Sequence, residues 1–321
     1  MSDLHMFEAF GVDDLARELK SRHARAKIEV VPLSIVPELN SDLTKFDSTM
    51  IAAALRAKQK VIYGVDNRLD LYEVISPTLR QDADSVVALL RDTHVVDNGD
   101  GTSSIQTESF RESQRLCASE RFGLQPVAAF CSGVLIGPDL VATAGHCVKD
   151  ADFSTVRFVF GFRMIDATRA QARIANGEIY RAVAIAGRKL TQSASDWCVV
   201  RLDRAVSNHR VAPVRRAGAI SEGQGVHVIG HPSGLPTKLA GDATVRDNSH
   251  PTFFVANLDT YGGNSGSPVF NSVSHEVEGI LVRGDTDFVP VNDCFVSQVC
   301  PNQGCRGEDC TRVSEFVSFI S

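Results

Sequence analysis

After Cys117 the chain is dominated by short strand-like runs, among them 156–162, 226–230 and 277–282, set between glycine-containing and polar turns. That pattern predicts a mainly β body built from antiparallel strands. Ahead of it the spacing changes. Apolar positions recur at helical intervals over 5–25 and 46–60, with Lys27-Ile28-Glu29-Val30-Val31-Pro32-Leu33 reading as a short strand between them. From Val61 the text VIYGVDNRLDLYEV gives two strand-like runs about a turn at Asp66-Asn67, and a helix is predicted near 77–91. Asp97-Asn98-Gly99-Asp100-Gly101 then supplies a turn or hinge. No internal repeat or low-complexity tract interrupts this order. The expected organisation is an α/β extension over 1–58, a segment over 59–115 that wraps the body, and the β body over 116–321.

The chemistry concentrates in three places. Gly263-Asn264-Ser265-Gly266-Ser267-Pro268 holds a serine between small residues in a glycine-rich turn. A serine alcohol is a weak nucleophile until a base takes its proton and an acid orients that base. Upstream stand a histidine in Thr143-Ala144-Gly145-His146-Cys147 and an aspartate opening Asp196-Trp197-Cys198-Val199-Val200-Arg201-Leu202, with Asp203 as a nearby rival. Taken singly, a serine loop is often only a turn, a histidine a core residue and an aspartate a cap. Three such motifs in one order have a sharper meaning.

The order His, Asp, Ser and the motifs themselves resemble the trypsin-like serine proteases. The resemblance runs from Cys117 to the C-terminus and implies two antiparallel six-stranded β-barrels of the chymotrypsin type. It also implies a triad of His146, Asp196 and Ser265, an oxyanion hole from the backbone around Gly263, Asn264 and Ser265, and a disulfide between Cys131 and Cys147. Where trypsin and chymotrypsin carry an aspartate before the nucleophile, to pair with a newly cut N-terminus, this chain has Asn264. GNSGSP is in that respect similar to the bacterial glutamyl endopeptidase branch. Control is then expected from a masking segment, from a partner engaged through residues 1–58, or from compartment.

Substrate preference is read from the same resemblance. Asp259, six residues before Ser265 and followed by Thr260, stands where trypsin-like enzymes of basic preference carry their pocket aspartate, which implies cleavage after Arg or Lys. The strand that follows the serine loop brings Leu281, Val282, Arg283 and Gly284 to the pocket, with no histidine at Leu281 where the glutamyl branch has one. Glutamate preference is therefore disfavoured, and Arg283 stands ready to attract an acidic group or to neutralise Asp259. Asp259 as a loop cap is the bland alternative.

Composition narrows the picture further. A chain of 321 residues with 43% apolar content has ample material for a substantial core. The formal charge of −6, without a basic stripe, gives no support to nucleic-acid binding. No apolar run approaches the ~20 residues of a membrane span, and the charged start lacks an apolar export core, which favours a cytoplasmic protein. The eight cysteines pull toward oxidising surroundings and an exported protein. Cys294, Cys300, Cys305 and Cys310 do not have the spacing of common zinc knuckles, so a disulfide-braced loop involving Cys294 and Cys300 is expected, with no metal and no cofactor. The expected function is a regulated endopeptidase acting on protein or peptide. A catalytically silent binding module of the same fold is the alternative, and an esterase a weaker one, because the serine elbow of a parallel sheet is missing.

Overall fold

The computed structural model describes residues 62–63, 66–191, 194–284, 287–291, 293–301 and 304–320. The helices expected at 5–25 and 46–60, the strand at 27–33, and the whole 1–58 extension lie outside the described residues.

The body is mainly β and made of two closed barrels, as expected. The first takes six antiparallel strands in the order Val156–Val159, Ile179–Leu190, Asp196–Leu202, Leu140–Thr143, Cys131–Gly137 and Val86–Arg91, the last closing back on the first. The second runs Gly225–Gly230, Pro268–Asn271, Val277–Arg283, Glu308–Arg312, Phe253–Ala256 and Lys238–Asp247, and closes by pairing Lys238–Asp247 with Gly225–Gly230. Each barrel buries its own apolar interior. Val87, Leu89, Val134, Val141, Phe158 and Val200 belong to the core of the first, while Val226, Val228, Phe254, Val269 and Leu281 fill the second. Each such side chain, fully withdrawn from water, stabilises the fold by about 1.5–3 kcal/mol.

One expectation fails in an instructive way. The helix predicted over 77–91 ends at Asp84, and Val86–Arg91 is a strand of the first barrel. The helix itself is well signalled, with Ser76 capping the N–H of Leu79 and Pro77 in the first turn. Beyond it the apolar run is unbroken and both of its faces are covered: Val87 and Leu89 enter the barrel core, and Ala88 and Leu90 a satellite cluster with Val159, Phe162 and Ile174. A strand buried on both sides loses the alternation that distinguishes it from a helix. The body therefore begins well before residue 116, and the segment 59–115 contributes a barrel strand rather than merely wrapping the barrels. The turn at 97–101 is correct; it joins the hairpin strands Val95–Asp97 and Thr102–Ile105.

Three disulfides brace this framework: Cys131–Cys147, Cys117–Cys294 and Cys300–Cys305. The pairing implied for Cys131 and Cys147 is present. Cys294 does not close a local loop with its C-terminal neighbours but reaches back 177 residues to Cys117, and Cys300 takes Cys305. Cys198 and Cys310 stay outside these disulfides as buried thiols, each facing a barrel core.

A second tie within the fold is ionic. His209 lies stacked on Phe160, ring centroids 4.3 Å apart, with Nδ1 2.9 Å from Asp84 Oδ1 and Nε2 2.6 Å from Glu178 Oε2. Burial works to lower the pKa of its imidazole, but the two carboxylates outweigh burial and hold it above the ordinary histidine value. A pKa raised in the folded state means that the stabilisation is complete below the unfolded value near 6.5 and is lost as pH rises through the folded one. Thermal midpoints measured across pH 5.5–9 should therefore show a downward component above neutrality that His209→Ala abolishes. An unchanged profile in that variant would assign the component to another group.

Candidate active site

The barrels place the expected histidine and aspartate side by side. His146 follows the strand Leu140–Thr143, and Asp196 opens the neighbouring strand Asp196–Leu202, whose Cys198 is in register with Thr143. Asp196 Oδ2 lies 2.8 Å from His146 Nδ1, and Asp196 Oδ1 accepts the backbone N–H of the same histidine at 3.1 Å. One carboxylate thus sets both the ring and its main chain. The aspartate side chain is 4% exposed and the histidine 37%, so the pair has a dry end and a wet end. Burial pushes the Asp196 carboxyl upward most strongly, yet the charge and hydrogen bonds of His146, helped by Arg283, bring it below the usual carboxylate range. Asp203, the rival, instead accepts the N–H of Arg181 and pairs with Arg204 at the surface.

Ser265 belongs to the second barrel, in the loop between Phe253–Ala256 and Pro268–Asn271, and that loop docks on the first. The Ser132 N–H donates to the Ser265 carbonyl at 2.8 Å, and Gly266 N–H to the Leu281 carbonyl at 2.7 Å. Gly266 has φ +85, and a Cβ there would lie 2.2 Å from the Ser132 carbonyl oxygen and 2.3 Å from Thr143 Oγ1. Only glycine fits so close a seat beside the histidine strand. Gly263, with φ +83, turns the backbone just ahead of the serine and packs on Ser233 and Gly234.

Asn264 is buried and satisfied within its own loop. Its Nδ2 donates to Thr260 Oγ1 at 2.6 Å, and its Oδ1 accepts from Ser267 Oγ at 2.8 Å. Neutral hydrogen bonds hold the loop at this position, where an aspartate would call for an ion pair.

The pocket candidates disperse. Thr260 is fully buried in the Asn264 contact, Leu281 lies in the core of the second barrel, and Val282 packs into the larger core. The Leu281 backbone runs beside the serine loop, exchanging hydrogen bonds with Gly266 and Ser267. Gly284 continues that strand as a buried residue. Arg283 directs Nε to Asp309 of the paired strand at 3.1 Å and Nη2 to the Ala194 carbonyl at 2.9 Å, rather than engaging Asp259. Asp259 is buried, and its two oxygens accept the backbone N–H groups of Tyr63 at 2.6 Å and Asn67 at 3.2 Å. Burial pushes its carboxyl up to about 6 despite those donors.

Sequence reasoning missed the residues that support the loop. His231-Pro232-Ser233-Gly234-Leu235 lies against it, the Ser233 N–H donating to Gly262 O at 2.5 Å, while Asp287 Oδ2 accepts the Gly262 N–H at 2.8 Å. Ser132 Oγ accepts the His231 N–H at 2.9 Å. His231 is itself no candidate base: burial pushes it down to about 4, and its Nδ1 faces the Leu235 carbonyl at 3.0 Å. The Pro and Gly at 232 and 234 were the available signal for a tight turn.

Residues 131–280, which hold all three motif residues, match the sequence profile of the family described as trypsin-like peptidase domain. That stretch is similar to a trypsin-like peptidase domain and spans just under half of the chain. No curated protein sequence matches the chain. Among solved structures, the peptidase domain and its flanks are similar to the VesB protease of Vibrio cholerae, at 18% identity and TM-score 0.48, over 80% of this chain and 67% of that one. A serine endoprotease from Yersinia pestis is similar at 17% identity and TM-score 0.45, over 77% and 66% of the two chains. A Glu endopeptidase is similar at 16% identity and TM-score 0.45, over 81% of this chain and 97% of that one. The match thus spans about two thirds of the first two structures and nearly all of the third.

The internal satisfaction of the peptidase domain's serine loop has a measurable consequence. Asn264→Ala strands the Ser267 hydroxyl in a buried site and should destabilise the protein by about 2 kcal/mol, within the usual cost of an unsatisfied buried group. Denaturant unfolding of the two proteins measures it; a difference within error would mean that water or a shifted loop replaces the amide.

Proposed function

We propose that this protein is a serine endopeptidase that cleaves peptide bonds in protein substrates through an acyl-enzyme. The observation that carries the reading is the Asp196–His146 pair, oriented at 2.8 Å, on the same barrel edge that seats the Ser265 loop.

The chemistry stems from that orientation. With Nδ1–H donated to Asp196, the other ring nitrogen of His146 carries the lone pair and takes the proton of Ser265 as Oγ attacks the carbonyl carbon. Asp196 stabilises the resulting imidazolium. Negative charge develops on the carbonyl oxygen, and the N–H groups of Gly263 and Ser265 serve as its donors, one such donor being worth about 3 to 4 kcal/mol of barrier. Asn264 contributes by holding the loop through its side chain. The histidine then returns the proton to the leaving amine as the C–N bond breaks, and water releases the acyl group by the reverse sequence. Acyl transfer of this kind calls for no cofactor.

Cleavage after Arg or Lys is the finer part of the reading and rests on Asp259. The two amides on its oxygens and its raised pKa weigh against an open anionic pocket and favour a role in anchoring Tyr63 and Asn67. Control of activity is assigned to residues 1–58 or a partner they engage, because the neutral Asn264 leaves no switch based on a newly formed ion pair.

Full-length protein and its Ser265→Ala variant, incubated with a peptide library and read by mass spectrometry, test all three points. Cleavage by the parent and a loss of about a millionfold in the variant are expected. Parent and variant cleaving alike would refute the triad, and cuts confined to Arg and Lys would restore Asp259 to the pocket. No cleavage by the parent, with none after deletion of 1–58, would leave a silent binding module.

A further inference from the structure

Outside the serine loop, three metal-ligating side chains from distant parts of the chain converge. Asp82 lies in the last turn of the helix Pro77–Asp84 that leads into the first barrel, His227 lies on the second-barrel strand Gly225–Gly230, and His275 sits in the turn between Pro268–Asn271 and Val277–Arg283. Asp82 Oδ2 is 3.2 Å from His227 Nε2 and 2.5 Å from His275 Nδ1, and the three ligand atoms lie within 4.8 Å of one another. Asp82 and His227 are almost completely buried, and the His275 side chain is 23% exposed.

Several features go beyond a chance ion pair. The second oxygen of Asp82 is buried with no hydrogen-bond partner, leaving a carboxylate in a dry site short of positive charge. His227 is held by stacking on Phe270, with its Nδ1 3.3 Å from Ser272 Oγ, which turns Nε2 toward Asp82 in the manner of a metal ligand oriented by an outer partner. His275 occupies the left-handed region at φ +58, in a turn tied by Asn271 Oδ1 to the N–H groups of Val273 and Ser274. A backbone conformation that histidine adopts reluctantly is here what aims its ring at the carboxylate.

We propose that Asp82, His227 and His275 form a binding site for a divalent transition-metal ion of the zinc class, which clamps the leading helix of the first barrel to the sheet of the second. Two imidazole nitrogens and one carboxylate oxygen suit Zn²⁺ and its neighbours, whereas Ca²⁺ and Mg²⁺ prefer an all-oxygen set. Bonds of about 2.1 Å in a tetrahedral arrangement place donor atoms about 3.4 Å apart, a spacing that small side-chain adjustments reach from the distances found. The exposed edge at His275 admits water as the fourth ligand. This assignment departs from the expectation of no metal, which rests on the C-terminal cysteines alone. Separations of 145 and 193 residues from Asp82 give no motif to read.

The test uses the full-length protein after dialysis against a chelator, titrated with Zn²⁺ and followed by calorimetry, retained-metal stoichiometry and thermal midpoint. One retained equivalent and a raised midpoint are expected. In His275→Asn, where asparagine tolerates the left-handed backbone, affinity should fall at least about a hundredfold, with circular dichroism unchanged. Failure of the parent to retain an equivalent overturns the site, as does undiminished retention in the variant. Should the variant not fold, X-ray absorption on the metal-loaded parent decides: two imidazoles on the ion support the site, and one or none refutes it.

Discussion

The carbonyl of Ser265 accepts the N–H of Ser132 across the boundary between two barrels, and the candidate active site depends on that junction. His146 and Asp196 come from adjacent first-barrel strands whose register brings them together, and Arg283 of the second barrel helps to hold the aspartate charged. Ser265 comes from the second barrel. Its loop seats on the first barrel because Gly266 fits against Ser132 and Thr143 with no room for a side chain. The geometry of the candidate site is therefore a property of how the two barrels dock, across a core to which both contribute, and rigidity at the dock matters as much as the identity of the three side chains.

Around that junction the fold uses buried polar groups freely. Asp70, Gln125 and Lys238 are mutually hydrogen-bonded and almost fully buried, with Lys238 also donating to the Pro236 carbonyl. Burial pushes the ammonium of Lys238 down to about 8, although the Asp70 carboxylate works to raise it. Arg68, fully buried, donates to Asp66 and to the Tyr261 hydroxyl, and lies 3.9 Å over the Tyr261 ring. Breaking one member of such a set strands a charge in a dry place. The segment 66–70 is bound to the second barrel through these contacts, and Asp259 extends the same attachment to Tyr63 and Asn67. The carboxylate that looked like a specificity determinant in the sequence is, in the fold, a ligand for backbone amides.

Legibility in the sequence tracked the range of the interaction. GNSGSP, TAGHC and DWCVVRL were readable because each is a local device: a tight turn, a residue placed at a strand end, an acid that opens a buried strand. The strand Val86–Arg91 was not, since burial on both faces erased its alternation. Cys294 could not be matched to Cys117, because cysteine spacing carries no information about a partner 177 residues away. Asp82, His227 and His275 were invisible for the same reason.

By itself, the sequence determined a mainly β body, the order of the three chemical motifs and an asparagine ahead of the serine, all of which rest on periodicity or on neighbours within a few residues. Tertiary structure alone decided which residues share a pocket, where Asp259 places its hydrogen bonds, and which cysteines and histidines meet. Local pattern reflects what a short segment needs in order to fold, whereas side chains distant in sequence meet only once the barrels close and dock.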